Sequence, residues 1–170
     1  MKAFRLLLLL AATVLLGACG FHLRNSQDLP FKTLYIALPE SSDLRATLAR
    51  NIRAGSATEV VSEDTQADAI LTVTGDLPRK VILSLNASGR VREFQLIRTF
   101  SFRVHDKQGR DLMVPAKIEI RRDITYTDDL VLSKEAEETL LWRDMQTDMV
   151  QQVLRRLATA KAKPIDPDQQ

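Results

Sequence analysis

Hydrophobic and polar positions alternate most cleanly in the middle of the chain. Phe94, Leu96, Phe100, Phe102 and Val104 fall on one phase, and Glu93, Gln95, Thr99, Ser101 and Arg103 on the other. That is the period of a strand with one buried face. Leu112, Val114, Ala116, Ile118, Ile120, Ile124 and Tyr126 repeat the pattern in a second long strand, with Pro115 on the outward phase. A proline there marks a sheet edge or a bulge. Asp106 to Gly109 forms the turn between the two. Upstream, Ala69 to Leu85 is strand-like on either side of Gly75 to Pro78, a bend or bulge, and Asn86 to Gly89 is the turn that follows. Leu34, Ile36 and Leu38 alternate with Tyr35 and Ala37 in a short strand ended by Pro39. Val60 and Val61 fit a brief strand or a connecting loop.

Two segments change to helical spacing. Leu44, Leu48 and Ile52 recur every four residues behind a cap at Ser42 or Asp43, and Gly55 is placed to end the helix in the left-handed conformation. Ser133 begins a longer helix with Glu135, Glu137 and Glu138 in its first turns, where acids suit the dipole. Leu141, Met145, Met149, Val153 and Leu157 form its apolar stripe, widened by Leu140, Val150 and Leu154. Arg155 and Arg156 lie near its end. The pattern predicts an α+β two-layer sandwich: two helices packed on one face of a mostly antiparallel four-stranded sheet. One domain over residues 32–160 is expected, with a flexible tail over 161–170 that contains Pro164 and Pro167.

Residues 1–18 stand apart from this fold. Lys2 and Arg5 precede an apolar run of eleven residues, Leu6 to Leu16, followed by small residues. This is a secretory signal, shorter than the roughly 20 residues a membrane-spanning helix needs. Leu16-Gly17-Ala18-Cys19 resembles the lipobox of bacterial lipoproteins, in which the cysteine takes a diacylglycerol, the signal is cut before it and the new amino group is acylated. Two or three acyl chains anchor stably where one does not. Cys19 is followed by Gly20, not by the aspartate that resembles an inner-membrane retention signal, so the expected site is the periplasmic face of the outer membrane. Residues 19–31 then form a lipidated start and a polar linker.

Charge and composition narrow the chemistry. The chain has 170 residues with 24 Lys and Arg against 22 Asp and Glu. Removal of Lys2 and Arg5 with the signal leaves 22 of each. A neutral chain is not a dedicated nucleic-acid binder. One cysteine and two histidines exclude a disulfide framework and a Cys/His zinc site within one chain. His22 and His105 lack a second ligand at helical spacing, and His105 beside a turn reads as solvated. No nucleophile motif is present, and Gly89 and Gly109 are isolated turn glycines, so neither an active site nor a cofactor site is expected. Arg98 and Arg122 fall on the apolar phase of their strands. Each must pair with a carboxylate, escape at the rim or face an anionic ligand. Arg90, Arg92, Arg79, Lys80 and Lys134 cluster near strand ends and the start of the last helix.

Cys19-Gly20-Phe21-His22-Leu23-Arg24 resembles the mature start of the LptE family of LPS-assembly lipoproteins, Cys-Gly-[Phe/Trp]-x-Leu-Arg. Arg92-Glu93-Phe94-Gln95-Leu96 resembles the beginning of that family's third strand, and Leu132-Ser133-Lys134-Glu135 the opening of its last helix. The family often has glycine where Asn25 stands. The resemblance implies a non-catalytic lipoprotein that sits as a plug inside the LptD β-barrel, assists its assembly and binds lipopolysaccharide. Lys134 matches a basic position linked to lipopolysaccharide. A second such position falls at or near Ala87, for which Arg90 or Arg92 substitutes. The rival reading is a periplasm-facing lipoprotein that binds a soluble small ligand, which would need a concave apolar pocket.

Overall fold

In the computed structural model, which describes residues 28–126 and 131–164, the first strand β1 (Thr33–Ala37) buries Leu34 and Ile36 completely and turns Tyr35 to the other face. Helix α1 (Asp43–Gly55) follows. The Ser42 hydroxyl accepts from the Arg45 amide at 3.3 Å, so the cap is Ser42 rather than Asp43. The helix does not end on a left-handed glycine. Gly55 remains its last helical residue, and Ser56, extended, closes it by sending its amide and its hydroxyl to the Ile52 carbonyl at 2.9 and 2.8 Å.

The chain then forms β2 (Glu59–Val61), a one-turn 3-10 helix (Asp64–Gln66), and β3 (Ala69–Leu85), β4 (Val91–His105) and β5 (Ala116–Thr125). Sheet order is β2-β1-β3-β4-β5, with β1 parallel to both neighbours and the β3–β4 and β4–β5 pairs antiparallel. The sheet is therefore five-stranded and mixed, not four-stranded. α1 carries the chain back so that β2 runs beside β1 in the same direction, and three residues are too few to display a strand period.

Two further expectations change. The second long strand begins only at Ala116: Pro115 lacks the N–H a ladder requires, and Leu112 and Met113 reach the core from a loop, while Val114 is exposed. The Leu112 amide still donates to the Val104 carbonyl at 2.8 Å. The last helix, α2 (Val131–Leu157), starts two residues before Ser133. Its Met145, Met149, Val150, Val153 and Leu157 are buried against the sheet and α1, whereas Leu140 faces solvent.

Both helices share one apolar cluster with Leu71, Leu96, Phe100, Phe102, Ile118 and Ile120, so they cover one face of the sheet. Arg98 and Arg122 stand on that face and both are paired. Arg98 makes a forked bond to Asp76 (Nε–Oδ1 2.9 Å, Nη2–Oδ2 2.7 Å) and reaches Gln146 of α2 at 3.2 Å. Arg122 pairs with Asp148 of α2. The Arg98 side chain is only 13% exposed, where an unpaired guanidinium would be costly. The two arginines thus tie α2 across the sheet instead of awaiting a ligand.

Candidate functional site

β3 bends at a bulge where its register against β4 jumps from Val73–Phe102 to Gly75–Ser101. β1 pairs only with Ala69 to Thr72. From Gly75 onward β3 and β4 continue as a ribbon past the short strands, to the turn Asn86–Gly89. β5 pairs with β4 here in the plane of the sheet, from Glu93–Thr125 onward, and the start of α2 lies on the helix side of these strands.

A cavity of about 100 Å³ lies at that junction, lined by Lys80, Phe94, Ile124, Tyr126, Lys134, Glu135 and Glu138. Its floor is aromatic: Phe94 and Tyr126 meet edge to face at 5.6 Å between centroids. The Lys80 ammonium lies 4.2 Å from the centre of the Phe94 ring and donates to Glu138 at 2.6 Å. Glu138 also accepts from the Trp142 indole at 3.3 Å. The Lys134 ammonium donates to Glu137 at 2.7 Å and to the Thr125 hydroxyl at 3.2 Å. These bonds resolve the oddity of a cation in the first helical turn, because the neighbouring glutamates offset the dipole's repulsion.

Of the basic residues singled out from sequence, Lys134 is thus half-buried in the cluster. Arg92 stands at its rim, exposed, with its carbonyl accepting from the Tyr126 amide at 2.8 Å. Arg90 is exposed at the ribbon's turn, where its amide donates to the Asn86 side chain at 2.9 Å. Lys80, noted in the sequence among the basic residues near strand ends, is not among those expected to bind the ligand. It reaches the site because strand register sets it opposite Leu96, one step from Phe94 on the helix side. The same elements carry exposed apolar side chains, Ile82, Leu83 and Leu85 on β3 and Leu132 and Leu140 on α2, and of these Ile82 stands directly opposite Phe94. Cations over an aromatic floor, with apolar side chains beside them, suit a ligand that is both anionic and greasy. Nothing in the lining is arranged as a nucleophile with a base.

His105, expected to be solvated, is instead held on both ring nitrogens. Thr72 Oγ1 lies 2.9 Å from Nε2, and the Asp106 carbonyl 2.8 Å from Nδ1. Among the described residues no group of three His, Cys, Asp or Glu is placed to hold a metal, and no helix is long and apolar enough to cross a membrane. Cys19, His22 and the signal segment lie outside the described residues.

The family model described as LptE, Lipopolysaccharide-assembly, matches residues 31–157. An LPS-assembly lipoprotein LptE of Pectobacterium atrosepticum is 28% identical over 162 residues, covering 93% of this chain and 86% of its own. That of Yersinia enterocolitica is 32% identical over 165 residues, covering 94% and 78%. Among solved structures, the uncharacterized lipoprotein B from Nitrosomonas europaea superposes with a TM-score of 0.71 at 36% identity, covering 82% of this chain and 90% of that one. A minor lipoprotein from Acinetobacter baumannii gives 0.64 at 26% identity, covering 80% and 99%. The chain belongs to the LptE family of lipopolysaccharide-assembly lipoproteins.

Proposed function

We propose that this LptE family member is a non-catalytic lipoprotein, anchored through Cys19 to the periplasmic side of the outer membrane. In this reading it plugs the LptD β-barrel, assists that barrel's assembly and binds lipopolysaccharide through Lys134, Arg90 and Arg92. One observation carries the ligand part: the ribbon end gathers Lys80 and Lys134 around Phe94 and Tyr126, and the same elements carry exposed apolar side chains, with Ile82 directly across the ladder from Phe94. Lipid A joins phosphates to acyl chains, and this end joins their two complements. A barrel lumen is polar, and the sheet's face away from the helices is largely polar along β4, as a plug's surface must be. Lys134 and Lys80 are already held by Glu137 and Glu138, so a phosphate engages them by displacing a carboxylate, whereas Arg92 stands exposed at the rim. The small-ligand alternative has little room at this site, since about 100 Å³ is below the roughly 300 Å³ of the smallest usual ligand pockets. The larger groove at the other end of the molecule is open and lined with charged side chains rather than closed and apolar.

Two measurements test the reading. Tagged mature protein isolated from outer membranes is expected to bring down a large β-barrel near stoichiometry, and preparations without one would defeat the plug role. Arg90→Glu with Lys134→Glu is expected to weaken binding of purified lipopolysaccharide about tenfold, about 1.4 kcal/mol, with the circular dichroism spectrum unchanged. Unchanged affinity would remove these residues from the site.

A further inference from the structure

The end of the molecule opposite the ribbon carries a second, differently built surface. The linker arrives there at Pro30 to Lys32, the β4–β5 turn stands beside it, and the chain leaves α2 through Ala160 to Lys163. Thr58 Oγ1 donates to the Phe31 carbonyl at 2.9 Å, and the Lys161 amide to the Leu112 carbonyl at 2.8 Å, so these segments are fastened together. Between them lies an open groove of about 590 Å³ whose lining includes Pro30, Lys32, Lys107 and Ala162.

Six exposed cations, Lys32, Lys107, Arg155, Arg156, Lys161 and Lys163, stand at or beside this end, and none has a carboxylate of the described residues within ion-pair distance. The groove's own acids are otherwise engaged. Asp106 is bonded to Arg110 at 2.7 Å, and Asp68 accepts the Lys32 and Thr33 amides at 3.2 and 3.1 Å. Arg53, at the end of α1 and bonded to the Val60 carbonyl, adds a seventh cation. Against these stand Asp28, Glu59, Asp68 and the Glu63–Asp64 pair of the adjoining 3-10 turn, an excess of two positive charges among these described residues, seven against five, on a mature chain that is neutral in total.

We infer that this basic end docks on the anionic phospholipid headgroups of the membrane that carries the anchor. The inference rests on Cys19 being lipidated. Nine residues, Cys19 to Gln27, separate the anchor from Asp28, and nine residues reach at most about 30 Å. The basic end is therefore held permanently near a headgroup surface, where tethering makes a weak attraction effective. The attraction of Lys and Arg to anionic lipid acts within a Debye length, about 8 Å at physiological salt, so the cations nearest the linker are the ones that act. Docking sets the molecule basic end down and points the ribbon end away from its own anchor. The sequence after Pro164 adds two negative charges, Asp166 and Asp168, and for that reason the test uses the full mature chain.

The experiment is flotation of the unlipidated mature chain, Cys19→Ser, with vesicles of phosphatidylcholine alone or with phosphatidylglycerol added. Binding is expected only to the anionic vesicles, and to fade as salt rises. Lys107→Glu, Lys161→Glu and Lys163→Glu together should lower it more than about tenfold. The same charge change at exposed positions elsewhere, Arg50→Glu, Arg79→Glu and Arg143→Glu, should lower it far less. Inorganic phosphate should compete no better than chloride at equal ionic strength. Equal binding to both vesicle types, binding to neither, equal losses in the two triple variants, or displacement specific to phosphate would each overturn the inference. Lipid labelling of wild-type Cys19 reads the anchor separately, so loss of the anchor and loss of the docking surface are distinguishable.

Discussion

Asn86 and Asp106 do the same work in the two hairpin turns with one difference in charge. The Asn86 side-chain oxygen accepts from the Ser88 and Arg90 amides at 3.0 and 2.9 Å, and Asp106 Oδ1 accepts from the Gln108 and Arg110 amides at 2.9 Å each. Three residues on, Gly89 and Gly109 adopt φ of 78° and 79°, a conformation that costs any other residue. The second oxygen of Asp106 also accepts from the Arg110 guanidinium at 2.7 Å. Burial pushes the Asp106 carboxyl upward, but the Arg110 amide, its guanidinium and charge, and the Gln108 amide together outweigh this, so the group titrates below the ordinary aspartate value. A depressed carboxylate stabilises the fold above its unfolded value near 3.8, and that contribution disappears as pH falls through the lower, folded value. Asp106→Asn is therefore expected to be less stable than wild type at about pH 6 and to converge with it near about pH 2. Urea midpoints across that range measure the gap, and a gap that stays constant would show that the carboxylate's charge is irrelevant to the turn.

At the scale of elements, β3 poses the main question, because from Gly75 to Leu85 one of its edges has no strand beside it among the described residues. Hydrogen bonds define which way its backbone points. The Arg92 and Val104 carbonyls accept from Tyr126 and Leu112, so even-numbered residues of β4 face β5 and odd-numbered ones face β3. Across the ladder Leu77, Arg79 and Val81 bond to β4, leaving Asp76, Pro78, Lys80 and Ile82 turned to the free edge. Pro78 thus sits where an N–H would otherwise be offered to a passing strand, and Lys80 beside it adds a charge. These are two of the devices that keep edges from pairing. Pro78→Thr restores the donor, and with Leu77, Val81 and Ile82 exposed it is expected to raise self-association, read by sedimentation velocity at rising concentration. A variant as monomeric as wild type would show that the bulges and Lys80 suffice. The bulge was legible in sequence, as was the alternation of Phe94 to Val104, because every second residue there meets the core. The start of β5 was not, since Leu112 and Val114 continue a strand's spacing although Leu112 buries itself from a loop and Val114 is exposed. The site was half legible: Lys134 and Arg92 stand in recognisable segments, but Lys80 reaches Glu138 across 58 residues through a register displaced by a bulge. Local pattern carries no record of such a register.

As a whole molecule the protein has a firm end and a loose one. β4 has fifteen residues, which at about 3.3 Å each span about 50 Å. Its C-terminal half, Phe100 to Val104, is packed between Leu71, Ile118 and the buried methionines of α2. Its N-terminal part is covered only by the first turns of α2 and the cavity around Phe94, while the ribbon from Leu77 to Leu85 is exposed. Elements with few buried contacts open at lower free energy than the core. Backbone amides of Leu71 and Val104 are accordingly expected to exchange hydrogen only through global unfolding. Those of Val81, Leu85, Arg92 and Phe94 should exchange through local opening, at least about tenfold faster. If the ribbon end receives lipopolysaccharide, the ligand stabilises what it binds, so added lipopolysaccharide should slow exchange around Phe94 and Tyr126 and leave the Leu71 and Val104 amides as they were, apart from any gain in global stability. Hydrogen exchange read by mass spectrometry resolves the two regions. Uniform protection along β4 would remove the distinction between the ends, and slowing confined to the basic end would move the ligand there. A ribbon extending past a firm core also accounts for the apolar surface exposed along it: Leu77 to Leu85 are held clear of the core they would otherwise join.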